Sequence, residues 1–303
     1  MRANMKVCGM QIRVNGRFLR TARLDADRYQ FIEGDPESVL DELRKSDGRI
    51  DLFTFLQRLP DAAPKFSYPM KWDNFAAITI PSFDDWWMKQ LGFKARNKAK
   101  QAEKKGVVIR EVPFDDDLVR GIWGIYNECP VRQGRPFSHY GKSLETVYRE
   151  EATYLDSSIF IGAYLQDRLI GFIKMVMDHT RTQAGLMNIV SLIEERHKAP
   201  TNALIAQAVR VCASQGIPYL VYSKFAYGKK QRDSLSDFKE RNGFQRIEIP
   251  RYYVPLTPLG SAALRFGLHE GLGERIPEPV AEKLRQIRQA WYSRRFPSLT
   301  EAS

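Results

Sequence analysis

The stretch of sequence that decides the fold is SSIFIGAYL (157–165), followed by Gln166-Asp167 and then by RLIGFIKMVM (168–177). Two apolar runs rich in β-branched residues, joined by two turn residues, are typical of an antiparallel hairpin. A third apolar run, AGLMNIVSLI (184–193), is expected to pair beside this hairpin. The three runs together predict the centre of a β-sheet.

Helices and strands alternate around this centre. Apolar residues at helical spacing begin near Thr201 and continue to Gly216, which is typical of an amphipathic helix with a glycine end. The other predicted elements are helices at 118–127, 144–154 and 233–241 and strands at 107–112, 219–225 and 246–254. We expect Pro250 to break the last strand, because proline cannot donate to a sheet ladder. The pattern predicts an α+β fold.

Changes in composition divide the chain into four parts. Residues 1–93 carry a hairpin signal at Asn15-Gly16 and predict a smaller α+β half. Residues 94–106, KARNKAKQAEKKG, hold six basic residues against one acidic residue and predict a basic linker helix. Residues 107–257 form the main predicted domain, and 258–303 form a tail with a helix at 277–295.

The overall composition excludes several classes of protein. Of the 303 residues 43% are hydrophobic and 27% are charged, which excludes wholesale disorder. No apolar run approaches the roughly 18–20 residues that span a bilayer, which argues against an integral membrane protein. The N-terminus lacks an apolar signal segment, so the expected location is the cytoplasm. The net charge of +11 favours an anionic partner.

The cysteines and histidines are too few and too scattered in the sequence to form a disulfide framework or a metal site. The three cysteines, Cys8, Cys129 and Cys212, form no C-x-x-C pair, which argues against disulfides and a cysteine-rich zinc site. The four histidines have no i,i+4 spacing. We therefore expect no bound metal.

Four segments of the chain resemble the GNAT acyltransferases, in their FemAB-like branch. They are RNKAKQAEKKGVVIREV (96–112), FIGAYLQDRLIGFIKM (160–175), PTNALIAQAVRVCASQGIPYLVYS (200–223) and DFKERNGF (237–244). The resemblance implies a three-layer α/β arrangement with a mixed central sheet. It also implies that residues 1–93 are a shortened, degenerate GNAT-like half.

The resemblance further implies that two parallel strands, 184–193 and 219–225, diverge and leave a gap that holds the acyl donor. Main-chain groups at such a divergence are unpaired, and the following helix directs its N-terminus at the gap. The candidate donor-binding residues are Ile189, Val190, Ser191, Arg196, His197, Lys198, Thr201 and Asn202. The donor implied is acyl-CoA, such as acetyl-CoA. The glycine-rich phosphate loop of CoA enzymes is missing, however, and Fem-type proteins, which also lack it, use aminoacyl-tRNA.

Three residues are candidates for catalysis. Lys239, in the Phe-Lys pair of DFKERNGF, replaces the tyrosine acid of many GNAT enzymes and resembles the lysine of Fem-type proteins. A lysine there would stabilise the negative charge that develops on the reacting carbonyl. Glu194 is the candidate base, although Glu195, His197, Asp178 and His179 are alternatives. Tyr252 is a minor candidate.

The loop PVRQGRPFSHYG (130–141) is the candidate acceptor site, because arginines and aromatics together suit a planar or anionic acceptor. Its candidate residues are Arg132, Gln133, Arg135, Phe137, His139 and Tyr140. The alternative is a structural loop whose arginines pair with Glu145 or Glu150.

The predicted function is an N-acyltransferase that moves an acyl group from acyl-CoA to a primary amine by direct attack. The amine would belong to a small molecule or a peptide. Two alternatives remain open, namely an aminoacyl-tRNA-dependent Fem-like transferase and a non-catalytic module that binds RNA or an anionic partner. The tail helix also carries residues that suit attachment to a membrane surface, namely Trp291, Tyr292, Arg294 and Arg295. The alternative is an ordinary packed terminal helix.

Overall fold

The fold is built on one eleven-stranded sheet with helices on both faces. The computed structural model describes residues 2–25, 29–132, 135–226, 234–270 and 278–295. The sheet order is β1-β2-β3-β4-β13-β5-β12-β11-β10-β9-β6, and β7 and β8 form a separate two-stranded ribbon. The strands are β1 (Arg2–Val7), β2 (Met10–Asn15), β3 (Thr21–Leu24), β4 (Leu52–Leu56), β5 (Met70–Thr79), β6 (Val107–Val112), β7 (Val131–Arg132), β8 (Arg135–Pro136), β9 (Ser158–Leu165), β10 (Arg168–Met177), β11 (Gln183–Ser191), β12 (Tyr219–Lys224) and β13 (Gln245–Pro255).

The helices begin where capping residues and proline allow. Ser82, Asp115, Ser143 and Thr257 each accept a hydrogen bond from the first turn of the helix that follows. The helices are α1 (Glu37–Lys45), α2 (Phe83–Asp85, continued by a π-helical turn at Trp86–Gln90), α3 (Phe93–Lys104), α4 (Asp116–Asn127), α5 (Leu144–Glu151), α6 (Pro200–Ser214), α7 (Ser234–Arg241), α8 (Pro258–Arg265) and α9 (Glu278–Arg295).

The two faces of the sheet carry different helices. Lys174 and Met175 are neighbours on β10 and therefore point to opposite faces. Lys174 donates a hydrogen bond to the carbonyl of Glu151 at the end of α5, whereas Met175 contacts Cys212 on α6. Helix α4 packs against α5, and α3 packs against α6. This confirms the predicted three-layer α+β arrangement around a mixed sheet.

The predicted hairpin at 157–177 is present as β9 and β10, and β11 pairs beside it as expected. The strand expected at 246–254 is also present, but Pro250 does not break it. The carbonyl of Pro250 accepts a hydrogen bond from the amide of Gln57, just beyond the end of β4. The missing N–H of Pro250 would point to the same side, beyond the end of β4, so the pairing of β13 with β5 continues through Pro250.

Strand β13 joins the two parts of the chain into one sheet. It pairs antiparallel with β4 over Arg251–Pro255 and with β5 over Gln245–Tyr252. Strand β5 also pairs with β12, so no sheet edge separates residues 1–93 from residues 107–257. The division of the chain into four parts therefore stays a prediction, and two of those parts, 1–93 and 107–257, contribute strands to the same sheet.

The tail contains α8, which the sequence pattern did not predict, and α9, which it did. On α9, Val280, Leu284, Ile287 and Trp291 are each at least half exposed. In the part of the chain that is described, no helix combines the length and the apolar character needed to cross a membrane.

Candidate functional site

The site lies where the parallel strands β11 and β12 separate. They pair at Gln183–Tyr219, Ala184–Leu220 and Gly185–Val221, and no further pair follows. Strand β11 continues to Ser191 along β10 alone. Among the residues that the structure describes, one edge of β11 beyond Gly185 therefore has no strand partner. We call this opening the β11–β12 gap, and it confirms the predicted divergence.

Each strand that borders the gap carries a β-bulge at the point of separation. On β11, Lys174 opposes Asn188 and Met175 opposes Leu186, which leaves Met187 as an extra residue. On β12 the register with β5 shifts between Val221 and Lys224, and Ser223 adopts a left-handed φ of 50°. A bulge bends its strand and increases its twist. Two bulges side by side explain why the pair opens here.

Lys239 lies at the β12 side of the gap. Its side chain is fully buried although it belongs to the charged helix α7. The ammonium donates a hydrogen bond to the carbonyl of Lys224, immediately after the β12 bulge. It also lies 4.7 Å from the ring centre of Tyr222. A buried cation is thus held beside the bulge by a carbonyl and an aromatic face.

The start of α6 joins β11 to α7. Thr201 Oγ1 lies 2.9 Å from Ser191 Oγ, and Asn202 Nδ2 donates to Asn242 Oδ1 at 2.9 Å. These two predicted donor-binding residues therefore also connect elements around the gap. Ile189 and Val190 are half-buried and lie on the part of β11 that pairs with β10 alone.

The first turn of α6 does not fit the pyrophosphate of coenzyme A. Pro200, the first helical residue, has no N–H to donate. The N–H of Asn202 already donates to the carbonyl of Ala199 at 3.2 Å, and Ala199 has a left-handed backbone with a φ of 55°. A phosphate loop needs several converging N–H groups and close backbone approach. We therefore derive no step through bound coenzyme A.

The segment before α6 carries a mixture of paired and exposed basic groups. Lys198 donates to Glu195 Oε2 at 2.6 Å, and His197 Nδ1 lies 3.0 Å from the carbonyl of Glu194. Arg196 is exposed. Lys105, just after α3, donates to the carbonyl of His197 at 2.6 Å. The basic helix α3 is thereby joined to the loop that was predicted to bind the donor.

Arg132 holds the far end of β11. Its Nη1 donates to the carbonyl of Ser191 at 2.7 Å, and its Nη2 donates to Glu128 Oε2 at 2.8 Å. Glu128 in turn accepts from the amide of Ile193 at 2.7 Å. The pairing partner is thus Glu128 rather than Glu145 or Glu150. Burial lowers the pKa of Arg132.

Two of the predicted catalytic residues lie in unexpected surroundings. Glu194 is about half exposed and accepts a hydrogen bond from Arg168 at 2.6 Å. The two residues therefore form an ion pair on the surface. Tyr252 is fully buried, and its hydroxyl donates to Gln57 Oε1 at 2.8 Å. It belongs to the aromatic core beside β4, because β13 carries it away from the gap. This position argues against a catalytic role for Tyr252, which stays a prediction.

The predicted acceptor loop is divided between core and surface. Phe137 and His139 pack on the buried ring of Tyr126, with centroid distances of 5.7 and 4.3 Å. Burial lowers the pKa of His139. Arg135 and Tyr140 are exposed, and Gln133 lies outside the described residues. Within the loop, β7 and β8 form a short hairpin.

A buried polar cluster that the sequence analysis missed lies beside this loop. Glu151 Oε1 accepts from the hydroxyl of Tyr126 at 2.8 Å and from Asn188 Nδ2 at 2.8 Å. Lys174 donates to the carbonyls of Glu151 and Thr153 at 2.6 Å each. Burial raises the pKa of Glu151 and lowers the pKa of Lys174 to about 8. Lys174, a charged residue in the middle of the apolar run of β10, was the available signal.

Comparison with known proteins identifies the fold. No family model matches the chain, and no curated protein matches it. Solved structures do. The C-terminal domain of a protein assigned as a lysylphosphatidylglycerol synthetase from Agrobacterium fabrum superposes with a TM-score of 0.58 at 12% identity, covering 87% of each chain.

Two further structures extend this likeness. L-PGS from Bacillus licheniformis gives a TM-score of 0.56 at 12% identity, again with 87% of each chain covered. FemX gives 0.53 at 9% identity, with 82% of this chain and 87% of FemX covered. The resemblance stated from the sequence is thus confirmed at the level of the fold. The chain has the GNAT-type fold shared by FemX and the lysylphosphatidylglycerol synthetase domains.

Proposed function

We propose that the protein is an acyltransferase that moves an aminoacyl group from an RNA ester to a primary amine. The observation that carries this proposal is the doubly bulged β11–β12 gap with the Lys239 ammonium beside it. Unpaired main-chain groups along β11 suit an elongated donor, and a fixed cation suits the charge of an acyl-transfer transition state.

The reaction is a direct displacement. The amine nitrogen attacks the ester carbonyl carbon, and negative charge develops on the carbonyl oxygen. Lys239 stabilises that charge, because its ammonium is already held in place by the carbonyl of Lys224. The carbon–oxygen ester bond then breaks, and the leaving oxygen takes a proton. The mechanism includes no covalent acyl-enzyme.

Two features favour an RNA ester over the acyl-CoA donor predicted first. The start of α6 offers a poor cradle for a pyrophosphate, since Pro200 has no N–H and Asn202 uses its own. The exposed side of α3 and its C-cap carry five lysines. The opposite side of the helix is buried and consists of the small residues Ala95, Ala99 and Ala102. The exposed lysines are Lys94, Lys98, Lys100, Lys104 and Lys105. A row of lysines neutralises a nucleic-acid backbone without reading its sequence.

A competition between donors tests the proposal. The full chain is incubated with a primary-amine panel and either labelled aminoacyl-tRNA or labelled acetyl-CoA. We expect label transfer from aminoacyl-tRNA and a salt-dependent thermal shift with tRNA. A ligand at a hundredfold its dissociation constant adds about 2.7 kcal/mol to the free energy of unfolding.

Other outcomes separate the alternatives. Transfer from acetyl-CoA alone would restore the CoA-dependent N-acyltransferase. Binding of tRNA without transfer to any acceptor would favour the non-catalytic module. One structural neighbour is named for joining a lysyl group to a phospholipid. Phosphatidylglycerol therefore belongs in the panel as a hydroxyl acceptor, and transfer to it alone would overturn the choice of an amine.

A further inference from the structure

Asn188 lies on the part of β11 that pairs with β10 alone, directly after the Met187 bulge. Its Nδ2 donates to both carboxylate oxygens of Glu151, at 2.8 and 3.0 Å. An ionised carboxylate only accepts hydrogen bonds, so the NH₂ group of the amide must face Glu151. The oxygen Oδ1 therefore faces away from Glu151. The orientation of this amide is fixed by its partner.

Glu151 is itself held rigidly. It is 1% exposed, and the buried hydroxyl of Tyr126 donates to it at 2.8 Å. Lys174 bonds to the main-chain carbonyl of Glu151 and so leaves the carboxylate to Tyr126 and Asn188. The carboxylate of Glu151 thus accepts hydrogen bonds from two side chains, Tyr126 on α4 and Asn188 on β11.

The amide oxygen of Asn188 is the group that this network leaves open. Within the described ranges, no hydrogen bond uses Asn188 Oδ1, and the side chain is half-buried rather than enclosed. A carboxylate behind an amide N–H increases the negative charge on the amide oxygen, since linked hydrogen bonds polarise one another. An oriented, polarised acceptor beside an acyl-transfer gap suits an N–H donor.

We infer that Asn188 Oδ1 is the subsite for the attacking amine and that Glu151 is the positioning residue that orients it. This inference rests on the proposed function. Asn188 holds one N–H of the amine and thereby directs the nitrogen lone pair at the carbonyl carbon. The nitrogen–carbon bond forms and the carbon–oxygen bond of the ester breaks. The proton that the nitrogen loses balances the proton that the leaving oxygen gains.

A pair of variants that reverses the hydrogen bond tests this inference. In Glu151→Gln, the new Nε2 donor attracts Asn188 Oδ1, so the amide turns and presents NH₂ to the amine. We expect the KM for the amine to rise about tenfold, while the KM for the donor stays the same. In the double variant Glu151→Gln/Asn188→Asp, the introduced glutamine amide donates to one oxygen of the introduced carboxylate and leaves the other for the amine. The KM for the amine should return to within about threefold of the original.

Controls make the outcomes decisive. Asn4→Ala, at an exposed asparagine on β1, should leave both KM values unchanged. Thermal melting identifies any variant that fails to fold, and Asn188→Ala serves as a second variant that leaves Glu151 bonded to Tyr126. If folded Asn188→Ala keeps the original KM, or if the double variant is no better than Glu151→Gln, the inference is wrong.

A failure of the proposed function is distinguishable from a failure of this subsite. A chain without transfer activity overturns the former. The latter is then read from the side-chain amide NMR signals of Asn188 during titration with a primary amine. A shift that Glu151→Gln abolishes supports the subsite, and an unchanged signal overturns it.

Discussion

The two halves of the chain repeat one order of elements, but only one of them opens. β1, β2, β3, α1 and β4 follow the same order as β9, β10, β11, α6 and β12. In both halves the parallel pair spans three residues, as β3 with β4 and as β11 with β12. This repetition supports the prediction that residues 1–93 are a shortened GNAT-like half.

The difference between the halves lies beyond the third residue pair of each parallel ladder. Strand β3 ends at Leu24, one residue after its last pair with β4, and its register is uninterrupted. Strand β11 continues from Leu186 to Ser191 beyond its last pair, through the Met187 bulge. Aromatic rings fill the space beside β4, whereas β11 carries a polar side chain, Asn188, that bonds to the buried Glu151. A parallel crossover alone therefore does not make a site. The bulges and the strand that continues past them do.

The largest expected effect comes from a change in the half that contains β1–β4. We call it the filled half, because aromatic rings occupy the space beside β4, and we call the half that contains the β11–β12 gap the open half. The ring of Phe55 lies 5.6 Å from that of Phe53, 5.7 Å from that of Phe66 and 5.1 Å from that of Tyr252. Phe55→Ala should lower the free energy of unfolding by about 3–5 kcal/mol, because it removes a buried ring from a packed cluster. Urea unfolding followed by circular dichroism measures this loss. A change below about 1 kcal/mol would show that this half is not a rigid aromatic core.

The next effect concerns catalysis in the open half. Lys239→Met keeps the length of the side chain but removes its charge and its hydrogen bond to the carbonyl of Lys224. We expect kcat for aminoacyl transfer to fall by about 10²–10³, as for the loss of one oxyanion donor. The KM values should change little. Steady-state kinetics on the folded variant measure both, and an unchanged kcat would contradict the role of Lys239.

A third test uses Lys174, a buried lysine on β10 in the open half. Burial lowers the pKa of Lys174 to about 8, below the roughly 10.4 of a lysine in an unfolded chain. Between these values the unfolded chain binds more protons, so stability rises as the pH rises. Relative to Lys174→Met, the free energy of unfolding should increase by about 2 kcal/mol from pH 8 to pH 10. Parallel urea titrations measure this difference, and equal slopes with pH in the two proteins would refute it.

Local pattern was sufficient to predict the open half as far as its strands and their order. The apolar run 168–177 became β10, and the resemblance to GNAT acyltransferases implied the divergence of β11 from β12. The two bulges were not predictable, because a bulge is a property of the register between strands. Glu151 and Asn188 read as ordinary polar residues, since only the packing of α5 on β10 buries the carboxylate.

The position of Tyr252 was not predictable for a related reason. The end of β13 was assigned to the domain that precedes it in the chain, whereas its partners are β4 and β5. Pairing between residues nearly 200 positions apart in the chain, such as Tyr252 with Phe55, leaves no trace in local periodicity. The alternation of buried and exposed residues identified a strand but could not identify its neighbours.

The smallest expected effect separates stability from catalysis at this same residue. Tyr252→Phe removes only a hydroxyl, which donates to Gln57 Oε1 and accepts from the amide of Lys65, each at 2.8 Å. The ring stays packed against Phe55, and Gln57 Oε1 also accepts from Lys65 at 3.2 Å, so part of the network is retained. The free energy of unfolding should therefore fall by only about 1 kcal/mol. The kcat should stay within about twofold of the original, because the hydroxyl lies in the filled half. A tenfold loss of kcat at unchanged stability would return Tyr252 to the reaction and would mean that the filled half takes part in catalysis after all.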